Sequence, residues 1–218
     1  LVVFDASGES FRNEMYAAYK ANREEAPEEL KPQMSIVREA VDAFGLPRIE
    51  TEGYEADDLI ATYAKLAEAD GRPVQIVSSD KDLMQLIAGG VTMWDPMKNR
   101  DVDEEVVRAK FHVGPEQVRD VLALAGDSSD NVPGVPGIGA KTAAQLLEQF
   151  GTLDDLLANA ATIKQPKRRQ TLLDHAEQAR LSWRLVGLDD DVPVELGLDA
   201  LARPVFDPEP AKAFLRAN

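Results

Sequence analysis

Eight acidic residues of this chain fall where a strand ends or a helix begins. They form four groups along the sequence: Asp5; Glu55, Asp57 and Asp58; Asp80 and Asp82; Asp127 and Asp130. The strand ends and helix starts of an open α/β sheet meet at one edge, where such sheets bind ligands. We therefore expect these carboxylates to converge. Without bound cations, their mutual repulsion would raise their pKa values and cost stability.

The residue types narrow the choice of cation. The chain contains no cysteine, and none of the four groups contains histidine, so oxygen atoms are the available ligands. Sites made only of oxygen suit Mg²⁺ or Mn²⁺ rather than zinc. Two such ions about 3.5–4 Å apart form a clamp for phosphodiester hydrolysis. The sequence thus predicts a hydrolytic site with two or more Mg²⁺ or Mn²⁺ ions.

Each acidic group also has an ordinary structural explanation. The group beginning at Glu55 can satisfy the amides at a helix start. Asp80 and Asp82 can cap a turn between a strand and a helix, and Asp127 can form an Asx turn. Taken singly, each group favours that explanation. Their joint occurrence at equivalent places favours metal binding.

Alternating strand and helix patterns in the first half indicate an α/β fold, with a parallel sheet covered on both faces. The predicted strands are 1–5, 46–50, 73–78 and 91–94, and the predicted helices are 9–23, 33–44, 57–71 and 81–87. Helix 33–44 is expected to face the core through Met34, Val37, Val41 and Phe44. Further helices are predicted at 103–111, 115–125, 140–149, 153–160, 167–187 and 208–217, with irregular structure over 188–210. We expect an α/β core over residues 1–110 and a helical part over 111–218.

A glycine-rich segment joins two of the predicted helices. It is not a P-loop, because Ala140 separates Gly139 from Lys141 and no strand precedes it. Its glycines would let backbone amides approach a phosphate, and the next helix would direct its N-terminus at that phosphate. An ordinary αα-hairpin turn between two helices would not need three glycines and two prolines within 133–139. The predicted DNA-binding residues here are Gly134, Gly137, Gly139, Lys141 and Thr142.

A second basic feature lies near the start of the chain. Arg12, Tyr16, Lys20 and Arg23 have helical spacing, with Tyr19 adjacent. The simple interpretation is a solvated basic face. The functional hypothesis is a gate, in which the cations hold a scissile phosphate and the tyrosine rings stack on bases.

The net charge of −15 argues against a nucleic-acid partner at first sight. Bound divalent cations would invert the local potential, however. The basic residues also cluster, at Lys20 with Arg23 and at Lys164, Lys167, Arg168 and Arg169. No apolar run approaches the ~20 residues of a membrane span. We expect a cytoplasmic protein without a membrane partner.

Four segments, in this order, resemble the 5′-nuclease domains of bacterial DNA polymerase I, within the flap endonuclease family. They read FDASGESFRNEMYAAYKANR, GYEADDLIATYAK, SSDKDLMQL and LAGDSSDNVPGVPGIGAKTAAQLL. The resemblance covers nearly the whole chain. It implies a PIN-like, Rossmann-like nuclease core with a helical arch over 9–35 and a helix-hairpin-helix (helix–three-turn–helix) subdomain over 116–150.

The resemblance also implies an activity and roles for residues. The family uses Mg²⁺ to remove 5′ flaps and RNA primers from branched or nicked duplexes in replication and repair. The eight acidic residues match its metal-binding carboxylates. Tyr19, Lys20 and Arg23 match a segment that contacts the reacting phosphate, and the glycine-rich segment matches a duplex-binding hairpin that also holds K⁺. Arg12 is expected to contact DNA. A linked polymerase domain, a monomeric state and association with the nucleoid follow as expectations.

The chain departs from the family at its beginning. Leu1 opens inside a predicted strand, and a family motif of the form DGxxLxxR is absent. We expect a longer natural polypeptide and weak or no activity from this fragment alone. A non-catalytic module that grips branched DNA is the alternative. A phosphatase with an aspartyl nucleophile ranks low, because Ser7 stands where a second acid is required.

Overall fold

The computed structural model describes residues 1–6, 8–202 and 205–218. Two compact units can be distinguished, each discontinuous in sequence. Unit 1 comprises Leu1–Phe11, Arg23–Leu66 and Asp189–Asn218, and unit 2 comprises Arg12–Asn22 and Ala67–Leu188. The boundary expected between residues 110 and 111 does not separate these units, because each unit contains residues from both sides of it.

The elements alternate first and then become helical, as predicted. The strands are β1 (Val2–Val3), β2 (Arg48–Ile49), β3 (Val74–Val77), β4 (Val91–Asp95) and β5 (Arg100–Val102). The helices are α1 (Phe11–Met15), α2 (Lys31–Ala43), α3 (Ala56–Ala69), α4 (Glu104–Phe111), α5 (Val118–Ala125), α6 (Ala140–Phe150), α7 (Leu153–Ala158), α8 (Pro166–Asp174), α9 (Ala176–Val186) and α10 (Pro208–Ala217). The predicted helix over 167–187 is therefore two helices. No helix within the described residues is both long enough and apolar enough to cross a membrane.

The strands form two small sheets, one in each unit. In unit 1, β1 and β2 pair in parallel. In unit 2, β3 and β4 pair in parallel, and β5 pairs with β4 in antiparallel register. The prediction of a parallel sheet is confirmed, whereas β5 was not predicted. Ile76, Met93 and Val102 are buried on this second sheet, so its strands are anchored by apolar side chains.

The predicted helix over 9–23 is wrong beyond Met15. Residues 17–22 form turns, and Lys20 has a left-handed φ of 55° that interrupts helical geometry. The backbone amide of Lys20 donates to the carbonyl of Asp130 instead. Tertiary hydrogen bonds have thus overridden the local periodicity, and the expected basic helical face does not exist.

Arg12 is buried rather than available to DNA, so its predicted role is also wrong. Its exposed fraction is 1%. Its Nε donates to the Leu185 carbonyl at 2.8 Å and its Nη2 to the Gly187 carbonyl at 2.7 Å. Both acceptors lie at the C-terminal end of α9, where the last carbonyls of a helix lack intrahelical partners. Arg12 caps that helix and fixes the start of residues 12–22 within unit 2.

Helix α2 forms where predicted but does not face a core. None of its residues is buried, and the exposed fractions of Met34, Val37 and Phe44 are 44, 48 and 40%. Arg38 pairs with Glu50 at 2.7 Å, and α10 packs against the helix. The prediction of an inward apolar face is therefore wrong within the described part of the chain.

We expect Arg12→Met to destabilise unit 2. The substitution leaves two buried carbonyls without donors, which should cost about 2–4 kcal/mol of unfolding free energy. Urea unfolding followed by circular dichroism would measure it. Arg184→Met, on the exposed side of α9, is the matched control and should leave the midpoint nearly unchanged. Equal midpoints for the two variants would contradict the capping role.

Candidate metal and nucleic-acid site

The loop after β3 holds two of the predicted ligands in a tight turn. Asp80 donates its backbone amide to Ser78 Oγ at 3.1 Å, and Asp80 Oδ1 accepts from the backbone amide of Asp82 at 2.9 Å. A 3₁₀ helix, Asp82–Leu86, begins directly afterwards. These bonds are the local turn expected of aspartates at a strand end. They also fix the two carboxylates within one turn.

Lys81 bridges two carboxylates that come from distant parts of the sequence. Its Nζ lies 3.2 Å from Asp82 Oδ1 and also contacts Asp127 Oδ2. Asp127 is buried, and its other oxygen accepts from the backbone amide of Ser129 at 2.9 Å. Burial raises the pKa of Asp82 to about 6, and the neighbouring Asp80 and Asp127 add to the rise against the opposing effect of Lys81. These carboxylates therefore lie around a position that already attracts a cation.

Asp130 joins residues 17–22 to the loop that follows α5. Its Oδ2 accepts from Tyr19 Oη at 3.0 Å and lies 3.7 Å from Lys20 Nζ. Its backbone carbonyl accepts from the Lys20 amide. Two amide side chains add to the contact, since Asn131 donates to the Ala18 carbonyl and Asn22 to the Ser128 carbonyl. We call this set of contacts the Asp130 clamp.

The contacts of the Asp130 clamp contradict the base-stacking role predicted for Tyr19. Tyr19 is buried and uses its hydroxyl on Asp130, so its ring is not a surface on which bases stack. Lys20 remains half-buried beside Asp130, as a basic group near a predicted ligand. Arg23 belongs to unit 1 and is exposed.

The other four predicted ligands lie in unit 1, around the start of α3. Asp5 Oδ1 accepts from the Ala56 amide at 2.8 Å, and Glu55 Oε1 accepts from Ser10 Oγ at 3.0 Å. Asp58 is fully buried, and its two oxygens accept from the amides of Glu55 and Asp189. Asp58 thus acts as a helix cap, which was the structural alternative for this group. Asp57 is half-buried in the same first turn.

The convergence of all eight carboxylates remains a prediction. Among the residues described, no three acidic or histidine side chains form a ready-made metal-binding group. The donor chemistry nevertheless fits a hard divalent cation, because the ligands are carboxylate oxygens. In unit 2 an ammonium group also bridges two of them. Asp80, Asp82, Asp127 and Asp130 are the residues of unit 2 that could hold such an ion.

The glycine-rich segment divides into a packed part and an open part. Gly134 is buried with φ +60°, and a Cβ there would collide with the backbone nitrogen of Gly126. Its amide donates to Ser182 Oγ, and its carbonyl accepts from Gln178. Gly134 therefore packs the loop against α9, and its predicted contact with DNA is wrong.

Phosphate binding by the open part stays a prediction. Gly137 and Gly139 are exposed, and a Cβ on either would meet nothing within 4 Å. No side chain caps α6 at Gly139, and the first amides of a helix lack intrahelical partners, so an anion could bind there. Lys141 is exposed and Thr142 is half-buried in the first turn of α6.

Sequence reasoning missed Asp95, which supports the Asp80 loop. Its Oδ1 accepts from Ser79 Oγ at 2.6 Å and from the backbone amides of Met97 and Lys98. The Ser79 hydroxyl, followed by the bonds and charge of Lys98, lowers the pKa of Asp95 to about 2. The Asp-Pro pair at the turn after β4 was the available signal.

Comparison with known proteins gives the family to which this α/β chain with its acidic loops belongs. Residues 1–112 match the family described as "5'-3' exonuclease, N-terminal resolvase-like domain". Residues 113–209 match "5'-3' exonuclease, C-terminal SAM fold". The chain belongs to the 5′-3′ exonuclease family.

Curated relatives carry the name DNA polymerase I. The protein from Rhizobium leguminosarum is 57% identical over 95% of this chain and 20% of its own length. The proteins from Bacillus caldotenax and Thermus aquaticus are 44 and 42% identical over 99% of the chain and 25% of their own lengths. The chain thus spans only a fifth to a quarter of the length of these relatives.

Solved structures share the fold over nearly the whole chain. T5 5′-exonuclease with bound zinc ions is 27% identical, with a TM-score of 0.76 over 99% of this chain and 82% of its own. A T5 flap endonuclease in a pseudo-enzyme-product complex with DNA and metal ions is 26% identical, with the same TM-score over 99 and 82%. The catalytic core of Rad2, at 18% identity and TM-score 0.59 over 99 and 72%, shares the fold alone.

Alanine substitutions should separate the two parts of the glycine segment. Gly134→Ala forces a Cβ into backbone atoms at positive φ, so it should unfold or strongly destabilise unit 2. Gly137→Ala meets open space and should cost only about 1–2 kcal/mol for its φ of +76°. Thermal unfolding of both variants would test this. Similar melting temperatures would contradict the close packing of Gly134.

The low pKa of Asp95 predicts a specific pH dependence. A pKa below its unfolded value means that the stabilisation is present above about pH 4. It is lost as the pH falls towards 2. The stability difference between the wild type and Asp95→Asn should therefore shrink between pH 7 and pH 2.5, as followed by urea unfolding. A difference independent of pH would contradict the assignment, and Asp101→Asn on the exposed edge of β5 is the control.

Proposed function

We propose that this chain is a Mg²⁺-dependent, structure-specific 5′ nuclease. It would act as a 5′-3′ exonuclease and as a 5′-flap endonuclease, on branched or nicked duplex DNA and on RNA primers. The observation that carries the proposal is the arrangement in unit 2. Asp82 and Asp127 share Lys81, while Asp130 holds Lys20. Carboxylates for cations and a lysine for phosphate charge thus occur in one compact unit.

The carboxylates would bind the metal ions, and the basic side chains would bind the reacting phosphate. Bound Mg²⁺ or Mn²⁺ would activate the attacking water and stabilise the leaving oxygen. Asp80, Asp82, Asp127 and Asp130 would hold the ions, with Asp5, Glu55 and Asp57 as further ligands. Lys20 and Arg23 would bind the reacting phosphate, and the Asp130 clamp would fix the position of Lys20. Lysine on a phosphate oxygen offsets the charge that develops during cleavage.

The open part of the glycine segment would bind the duplex backbone. Gly137, Gly139, Lys141 and Thr142 would contact phosphates without reading sequence, and the loop carbonyls would take K⁺. The T5 complex contains DNA and metal ions, which supports a DNA substrate here. The length of the DNA polymerase I relatives supports a linked polymerase domain. A monomeric protein in the bacterial cytoplasm, associated with the nucleoid, completes the proposal.

Flap cleavage tests the proposal directly. A labelled 5′-flap duplex would be incubated with Mg²⁺ or with EDTA, using this chain and a polypeptide extended upstream. Mg²⁺-dependent cleavage by either protein is the expected result. Cleavage by the extended protein alone would assign a catalytic contribution to the added segment. Absence of cleavage by both would overturn the proposal.

Asp127→Asn should abolish cleavage with the fold intact. The substitution keeps the shape and the bond to the Ser129 amide but removes the charge. We expect a loss of at least about 100-fold in single-turnover rate, since even the supporting partners of metal ligands contribute 10–100-fold. Asp174→Asn, on the exposed end of α8, is the matched control. Equal rates for the two variants would contradict the role of Asp127.

A non-catalytic DNA-binding module is the second candidate. The lack of a ready-made three-ligand group among the described residues favours it. Calorimetric titration with Mn²⁺ separates the two, because a pure binding module has no use for the ion. Mn²⁺ binding that is lost in Asp127→Asn supports the nuclease.

A further inference from the structure

A basic recess lies in unit 2 between the β4–β5 hairpin and α4. Its volume is about 430 Å³. Three cationic side chains line it: Lys98, Arg100 and Lys110. In a chain of net charge −15, three cations around one opening need a physical reason.

Internal ion pairs account for only one of these three cations, Lys98, which lies 3.3 Å from Asp95. In the part of the chain that the structure describes, Arg100 and Lys110 have no ion pair. The two acidic residues of the lining are Asp103, which accepts from the Val106 amide as the cap of α4, and the exposed Glu105. Partial burial, with the charges of Lys98 and Lys81, lowers the pKa of Lys110. An anion in the recess would relieve this crowding.

Asp95 links the recess to the Asp80 loop. One of its oxygens accepts from Ser79, the residue before Asp80, and the other lies 3.3 Å from Lys98 Nζ. Lys110 is also influenced by the charges of Asp80, Asp82 and Lys81. The recess and the carboxylates of unit 2 are therefore neighbours, and a strand with one phosphate at the carboxylates could place another phosphate here.

We infer that Lys98, Arg100 and Lys110 form a subsite for a backbone phosphate of the nucleic-acid substrate, next to the carboxylates of unit 2. The inference rests on the proposed function and deepens it. Arg100 and Lys110 supply the unpaired charges, and Asp95 orients Lys98 while it also anchors Ser79. The subsite reads phosphate charge rather than base identity.

The test removes the two unpaired cations and keeps the Asp95–Lys98 contact. Arg100→Gln with Lys110→Gln would be compared with Lys65→Gln and Lys212→Gln, which remove the same charge from exposed positions in surface ion pairs. Affinity for a nicked DNA duplex would be measured against salt concentration, with Ca²⁺ in place of Mg²⁺. We expect about tenfold weaker binding at physiological salt and a salt slope smaller by about one unit in the recess variant alone.

The outcomes distinguish a backbone phosphate from a free mononucleotide. They also distinguish failure of the subsite from failure of the proposed function. Equal affinities and slopes for the two double variants would overturn the subsite. A second result would also overturn the subsite. In it, calorimetry shows that the wild type binds thymidine 5′-monophosphate and that the recess variant does not, while the duplex affinity of the recess variant is unchanged. The recess would then hold a mononucleotide. If the wild type cleaves flaps in Mg²⁺ while either result holds, only the subsite fails. A wild type that neither cleaves nor binds DNA would remove the proposed function and the subsite together.

Discussion

The hydrogen bonds around Asp130 are the constraint on which the arrangement of unit 2 depends. Residues 17–22 have the composition of a helix, yet they are held as turns by bonds to the loop after α5. By forming turns instead of a helix, residues 17–22 lose a few intrahelical hydrogen bonds and gain hydrogen bonds to a buried carboxylate. Hydrogen bonds to charged groups are stronger than those between neutral groups. One result is that Lys20 lies beside a carboxylate instead of on a solvated face.

Charge is organised locally in this acidic protein. Lysines sit among the carboxylates of unit 2, and Asp95 keeps its charge by accepting several hydrogen bonds. Such pairing offsets part of the repulsion between anions at close range, because a cation or an amide lies beside them. The overall charge therefore says little about the potential at the edge of the sheet.

The sequence predicted the elements better than their environments. The order of strands and helices followed from apolar periodicity, which depends on near neighbours. Arg12, Tyr19 and Gly134 were misjudged, because each owes its role to a segment more than 40 residues away. The apolar side of α2 was misjudged for the opposite reason: its pattern is that of a buried helix, but its packing against α10 leaves none of its residues buried. Asp80 and Asp82 were placed well because their turn is local.

The interleaving of the two units has a consequence for how the chain can be synthesised and cut. The path changes unit after residues 11, 22, 66 and 188, so no single truncation isolates either unit. During translation, unit 1 cannot be complete until residues 189–218 have left the ribosome, whereas unit 2 has its last residue at 188. Any continuous fragment that contains one unit whole must therefore include residues of the other.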